Sequence, residues 1–156
     1  QLVVETPLSS DVLDSARIAV APSAGVIEVF PGARWSDNAP VLVRNLAVQA
    51  FERSGRIVGV GSSVTGMRAD YALAMELYAF QLDVTQPDPR AIVSLQARLL
   101  DYTSNRVLAS RRFEVEAPAA GIDGASAFAA FEAALNEVVT ALADWALATG
   151  ETAAAH

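Results

Sequence analysis

The side chains that carry most enzyme chemistry are scarce in this 156-residue sequence. It has no cysteine, and its one histidine, His156, is the last residue. Within these residues that excludes thiol nucleophiles, disulfides, zinc fingers, imidazole bases and Ser-His-Asp triads. Carboxylates are what remain for acid–base or metal work. Asp70, Glu76 and Asp83 lie on or beside one expected strand. A glycosidase-type mechanism needs two carboxylates a few ångströms apart, with pKa values pushed apart by their environments. The sequence shows no such pair, and isolated strand carboxylates usually sit on a solvated face. The alternating acidic spacing of a calcium loop is missing. Gly59-Val60-Gly61 followed by Gly66 is not a phosphate loop, because no Lys follows and no helical pattern opens there. The expectation is a chain with no catalytic residues, no cofactor and no metal.

Binding chemistry is better represented. Pro31–Asp37 falls between an expected strand end and a helix start, a place where loops often carry function. Arg34 offers five donors in a fixed plane and Trp35 a large apolar face, a pairing common at binding hot spots. With Asp37 they form the expected partner-binding set. Trp35 has two readings here, an exposed anchor beside Arg34 or a buried brace for the helix entry.

The elements around this loop can be read from periodicity. Leu2–Glu5 is a short apolar start that Pro7 interrupts, and Arg17–Ala21 and Val26–Phe30 are β-type runs bounded by Pro22 and by Pro31-Gly32. Asn38-Ala39-Pro40 opens a helix over 38–54, on which Leu42, Leu46, Ala50 and Phe51 recur at helical spacing until Gly55. Ile57–Val60 follows as a strand, making a strand–helix–strand unit that favours a parallel, right-handed crossover if both strands share a sheet. Gly61–Gly66 is a Gly/Ser loop. Alternation of Tyr71, Leu73, Met75 and Leu77 makes 70–84 a strand with a bulge near Ala79. Residues 92–116 form a hairpin that turns at Thr103-Ser104-Asn105. Phe128, Phe131, Leu135, Val138, Leu142 and Trp145 line one face of a helix over 125–148, a stripe that reads first as core and also suits a partner helix.

The whole predicts one α/β domain over 1–150, a two-layer sandwich with a mixed sheet packed against helices 38–54 and 125–148. Residues 151–156 read as a disordered tail or cloning remnant. Gln1 stands first with no targeting pattern after it, so the sequence reads as a mature or shortened form. Composition agrees with a folded domain: 53% of residues are hydrophobic, and no run approaches eighteen consecutive apolar residues. Eleven basic residues, all Arg, against 18 acidic ones give net charge −7, the wrong sign for a nucleic-acid binder.

Five short motifs carry a resemblance. They are Arg17-Ile-Ala-Val, Gly32-Ala-Arg-Trp-Ser-Asp-Asn-Ala-Pro40, Ala50-Phe-Glu-Arg-Ser-Gly-Arg56, Arg68-Ala-Asp-Tyr-Ala-Leu73 and Ala130-Phe-Glu-Ala-Ala-Leu135. In this order, from about residue 2 to 148, the chain resembles the auxiliary lipoproteins of Gram-negative ABC-type lipid transport systems that accompany MCE-domain proteins. The resemblance implies a non-catalytic periplasmic adaptor between the transporter's MCE component and the outer membrane. It also implies a lipidated N-terminal cysteine, which would lie upstream of Gln1. Docking on a symmetric partner would suit a homo-oligomer. The alternative is a lipid carrier with its own apolar cavity, lined by side chains such as Leu77, Phe80 and Phe113.

Overall fold

The computed structural model describes residues 1–23, 26–57, 59–61 and 69–154. Along the chain these are β1 (Leu2–Val4), β2 (Leu8–Ser9), β3 (Arg17–Ser23), β4 (Val26–Arg34), α1 (Ala39–Ser54), β5 (Val60–Gly61), β6 (Tyr71–Asp83), β7 (Arg90–Asp101), β8 (Val107–Pro118) and α2 (Gly124–Ala154). The expected α/β sandwich is present: one mixed sheet with both helices packed on one face. The expected loop over Gly61–Gly66 lies outside the described residues apart from Gly61, as does His156.

Strand β6 organises the sheet. Its alternation buries Leu73, Met75 and Leu77, then Phe80 and Leu82, the change of parity coming from a bulge between Leu77 and Ala79. One edge of β6 pairs with β7 along its length, and β8 pairs antiparallel beyond β7. The other edge is tiled by three parallel N-terminal strands in succession: β1 beside Tyr71–Leu73, β2 beside Glu76–Leu77 and β3 beside Gln81–Asp83. β5 lies outside β1, and β4 lies outside β3. The β7–β8 turn forms as its residues require. Asp101 Oδ1 accepts the backbone N–H groups of Thr103 (3.0 Å) and Ser104 (2.9 Å), and Asn105 takes the left-handed conformation at φ 59°.

Several expectations are corrected. β4 does not stop at Pro31-Gly32 but runs to Arg34. Among the described residues β4 is an outer strand with no second neighbour to require the proline's missing N–H, and a register shift between Ala19↔Val29 and Arg17↔Arg34 takes up the extra residues. The strands flanking α1 form no parallel crossover: β4 runs against β3 and so against β6, whereas β5 runs with β1 and β6. β5 is also shorter and later than Ile57–Val60. On α1 the deepest face is Val43, Ala47, Ala50 and Phe51, with Leu42 and Leu46 only half-buried. The helix ends as expected at Gly55, with φ 66°. α2 continues past residue 148 to Ala154, so Glu151–Ala154 is helix and not tail.

α2 is long and apolar enough to cross a membrane by length and composition. Its apolar stripe is instead spent on the core. Phe131, Leu135, Val138 and Leu142 are buried against β7, β8 and α1, whereas Phe128 is 37% exposed and Trp145 half-buried at the margin. Asp123 caps the helix, accepting the Ser126 backbone N–H at 2.9 Å and the Ser126 hydroxyl at 2.8 Å.

The sheet's other face is open and polar. Arg98 donates to Glu76 at 2.8 Å, Tyr78 Oη donates to the same carboxylate at 2.8 Å, and Arg112 stacks over the Tyr78 ring at 4.9 Å. Arg90 bridges Asp83 (3.5 Å) and Glu116 (3.1 Å). Each carboxylate that the fold perturbs clearly is held below its ordinary pKa. The Tyr78 hydroxyl and then Arg98 do this at Glu76, and the Thr85 hydroxyl first at Asp83. Backbone N–H groups do it at Asp101 (Ser104) and Asp123 (Ser126). Carboxylates with depressed folded-state pKa values stabilise the fold above their unfolded values and lose that contribution as pH falls through the folded ones. The midpoint of urea unfolding should therefore stay nearly flat from about pH 5.5 to 8, where no internal histidine titrates, and fall below about pH 4. Asp83→Asn should make that acid-side decline shallower.

Trp35 is 9% exposed and meets three rings edge-on: Phe80 at 5.2 Å, Phe128 at 5.3 Å and Phe131 at 4.9 Å. Its Nε1 is buried without a hydrogen-bond partner among the described residues. Trp35→Ala should cost about 3–5 kcal/mol in chemical unfolding. Trp35→Phe should cost less than about 1.5 kcal/mol, because it keeps an aromatic ring and removes the unsatisfied N–H.

Candidate functional site

The corner between β4 and α1 is built from the backbone outward. Trp35 N–H donates to the Ala16 carbonyl at 2.7 Å, and Ala39 N–H donates to the Ser15 carbonyl at 3.0 Å. Asn38 occupies the N-cap position of α1, but its side chain does not cap the helix; its amide donates to Asp14 Oδ1 at 3.2 Å. Pro40 sits in the first turn, where its absent N–H has no helical partner to lose. Asp37 Oδ1 accepts the Asn38 backbone N–H at 2.9 Å. Together these bonds tie residues 35–39 to residues 14–16, so the corner has little freedom to move independently of β3.

Of the three expected contact residues, Arg34 and Asp37 are exposed at this corner and Trp35 is not. Trp35 is the brace, and what it braces against is β6 and α2 through Phe80, Phe128 and Phe131, not its own helix. Phe128, on the same margin, keeps part of its ring in solvent.

The structure adds a residue that sequence reasoning missed. Arg17, at the start of β3, stands directly across from Arg34 in the β3–β4 register, and both are exposed. Like charges directly opposite on neighbouring strands repel. Neither guanidinium has an ion-pair partner among the described residues. The available signal was Arg17 at the head of an apolar run, but its neighbour could not be read locally because the pairing depends on the Pro31-Gly32 irregularity. The chemistry presented is a double cation on a rigid corner, matched to carboxylates.

The carboxylates weighed for catalysis are not gathered. Glu76 and Asp83 lie on the open sheet face in separate arginine contacts, and Asp70 precedes β6, where its Oδ2 accepts from the Gln1 nitrogen at 2.6 Å. The pKa values of Glu76 and Asp83 move down, away from what a general acid needs. Among the described residues no three acidic or histidine side chains are grouped as metal ligands.

The side chains expected to line a cavity, Leu77, Phe80 and Phe113, are 2%, 1% and 6% exposed and belong to the packed core among the described residues. An apolar cavity of about 240 Å³ lies at another place, lined by Leu2, Phe51, Ile57, Tyr71, Leu99 and Leu147 among others. At its rim Arg56 donates to Glu151 Oε1 from Nε (3.0 Å) and a terminal nitrogen (2.8 Å).

Comparison with known proteins places this architecture. A protein of Xanthomonas campestris, XCC0632, has a crystal structure that superposes with a TM-score of 0.95 at 39% identity, covering 100% of this chain and 88% of that one. PelC from Paraburkholderia phytofirmans, crystallised as a dodecamer, shares the fold at a TM-score of 0.54 and 13% identity, over 90% of this chain and 85% of its own. A curated relative, the uncharacterized protein bll6063 of Bradyrhizobium diazoefficiens, is 28% identical over 144 residues, 92% of this chain. This chain spans only 38% of that relative's length. The family described as ABC-type transport auxiliary lipoprotein component matches residues 1–143. With that match covering most of the sequence, the chain belongs to the family of ABC-type transport auxiliary lipoprotein components.

Proposed function

We propose that this protein is a non-catalytic auxiliary component of an MCE-associated lipid transport system in the Gram-negative envelope. In this reading it is a periplasmic adaptor that docks on the transporter's MCE component and links it to the outer membrane through a lipid anchor upstream of Gln1. Family membership supports the transport role and the envelope setting. The lipid cargo, the MCE partner and the outer membrane come from the motif resemblance.

The observation that carries the docking role is the Arg17–Arg34 pair on the β4–α1 corner. Two guanidiniums set on opposed strand positions, without an ion-pair partner among the described residues, cost the free protein repulsion that an acidic partner surface relieves. In a chain of net charge −7 such a local reversal of sign also orients the encounter. Asp37, two residues beyond Trp35, gives the surface a charge of the other sign, so that the partner's match must be mixed and not uniformly acidic.

The burial of Leu77, Phe80 and Phe113 in the packed core favours the adaptor reading over the carrier alternative. Pull-down of the MCE component from envelope extract, with no lipid in a native mass spectrum of the protein, is the outcome expected of an adaptor. Stoichiometric co-purified lipid without MCE capture would overturn it in favour of the carrier. Arg17→Ala and Arg34→Ala should each leave stability within about 0.5 kcal/mol, since both are exposed. Each should weaken partner binding by about 1 kcal/mol or more, with a shallower salt dependence. Wild-type binding by both variants would remove the corner from the interface.

A further inference from the structure

β8 is an edge strand. Among the described residues it pairs with β7 on one side only, along its length, and leaves a row of backbone donors and acceptors open on the other. Its open-face residues are Ser110, Arg112, Glu114 and Glu116, opposite Arg98, Gln96, Ser94 and Ile92 of β7. Edges normally carry charge to forbid pairing. Here like charges oppose the antiparallel self-pairings one step to either side of a single register.

Consider two β8 strands meeting antiparallel about a two-fold axis. Opposed residues share a face, so the register must match even with even. With the axis at Arg112, Arg112 meets Arg112; with the axis at Glu114, Glu114 meets Glu114. Both are repulsive. With the axis at Phe113, Arg112 of each copy meets Glu114 of the other, and Ser110 meets Glu116. On the helix-covered face Phe113 meets Phe113 and Arg111 meets Val115. The same register runs from Ala109 to Ala117, stopping short of the bulge at Leu108, and brings the Val107 end of each strand near the chain leading to the other copy's Ile122. Those two side chains are 48% and 64% exposed, and they flank β8 at its two ends.

The charges concerned are also unspent within one copy. Arg112 reaches the Ser94 hydroxyl at 3.2 Å and the Tyr78 ring, but neither Arg112 nor Glu114 has an ion-pair partner among the described residues. We propose that β8 is a self-association edge: two copies of this chain join β8 to β8 in the Phe113-centred antiparallel register, locked by reciprocal Arg112–Glu114 pairs. The sheet then continues from one subunit into the next, with both α2 helices on the same side. This does not depend on the docking role of the β4–α1 corner, which belongs to β3 and β4.

The test uses the folded chain and the fact that it has no cysteine of its own. Sedimentation velocity of the wild type should show a dimer, and Glu114→Arg, exposed and so compatible with folding, should raise its dissociation constant roughly tenfold or more. The exchange Arg112→Glu with Glu114→Arg should recover most of that loss. Mixed Arg112→Cys and Glu114→Cys proteins, oxidised gently, should give a disulfide between the two variants in preference to either with itself. A wild type that is monomeric throughout, or an oligomer indifferent to Glu114→Arg, would overturn the proposal. So would cysteine pairing in another register.

Discussion

The pairing of both edges of β6, the longest strand, is what the rest of the sheet depends on. Its neighbour on one side, β7, follows almost directly in sequence, so that edge closes at little entropic cost. The other edge is closed by three separate pieces of the N-terminal segment, each too short to hold position alone. Their positions along β6 fix the outer column, with β5 at one end and β4 at the other. α1 therefore spans from one end of the sheet edge to the other, and its place beside α2 follows from where β6 puts β1 and β3.

The aromatic cluster works within that frame. Trp35 is the residue at which a surface turn enters the core, and its ring contacts both layers: Phe80 from the sheet, Phe128 and Phe131 from α2. The stacked Phe80–Phe131 pair, 5.1 Å apart, joins the layers beneath it. Edge-to-face contacts each add roughly 0.5–1.5 kcal/mol beyond burial, and several directed at one ring also fix its orientation. The exposed chemistry at Arg17 and Arg34 thus sits on backbone that cannot shift without disturbing the core. Rigidity of this kind limits the ordering entropy a docking surface must lose on binding.

Local signals were legible where local physics decided the outcome. Asn38-Ala39-Pro40 and Gly55 bounded α1, the alternation through β6 located both the strand and its bulge, and Asn105 marked the turn. The family was legible from five motifs in order. The misreadings have one cause: neighbours distant in sequence overrode the local rule. Pro31-Gly32 reads as a stop, but on an outer strand a proline is tolerated. α1 reads as a parallel crossover, but β1 takes the inner position that a returning strand would have filled. Glu151 reads as tail, but Arg56 binds it and the helix continues. Arg17 escaped notice as a site residue for the same reason, since its significance lies in facing Arg34.

The parallel column on β6 has a further consequence, for the order in which structure can form. Gln1 and Asp70, joined by a backbone hydrogen bond where that column begins, stand 69 residues apart. The β6–β7 and β7–β8 hairpins close over a few residues and can assemble early; the β1, β2 and β3 pairings must wait for loop closures many times longer. Synthesis runs the other way, delivering the N-terminal strands first and their partner last. Until β6 exists, Leu2, Val3 and Val4, all buried in the folded protein, lack the long strand they lie beside, and β3 has β4 alone to pair with. For this chain the interval before folding is thus a period of exposed, unpaired β-structure, the state in which a nascent chain most needs to be kept from others like itself.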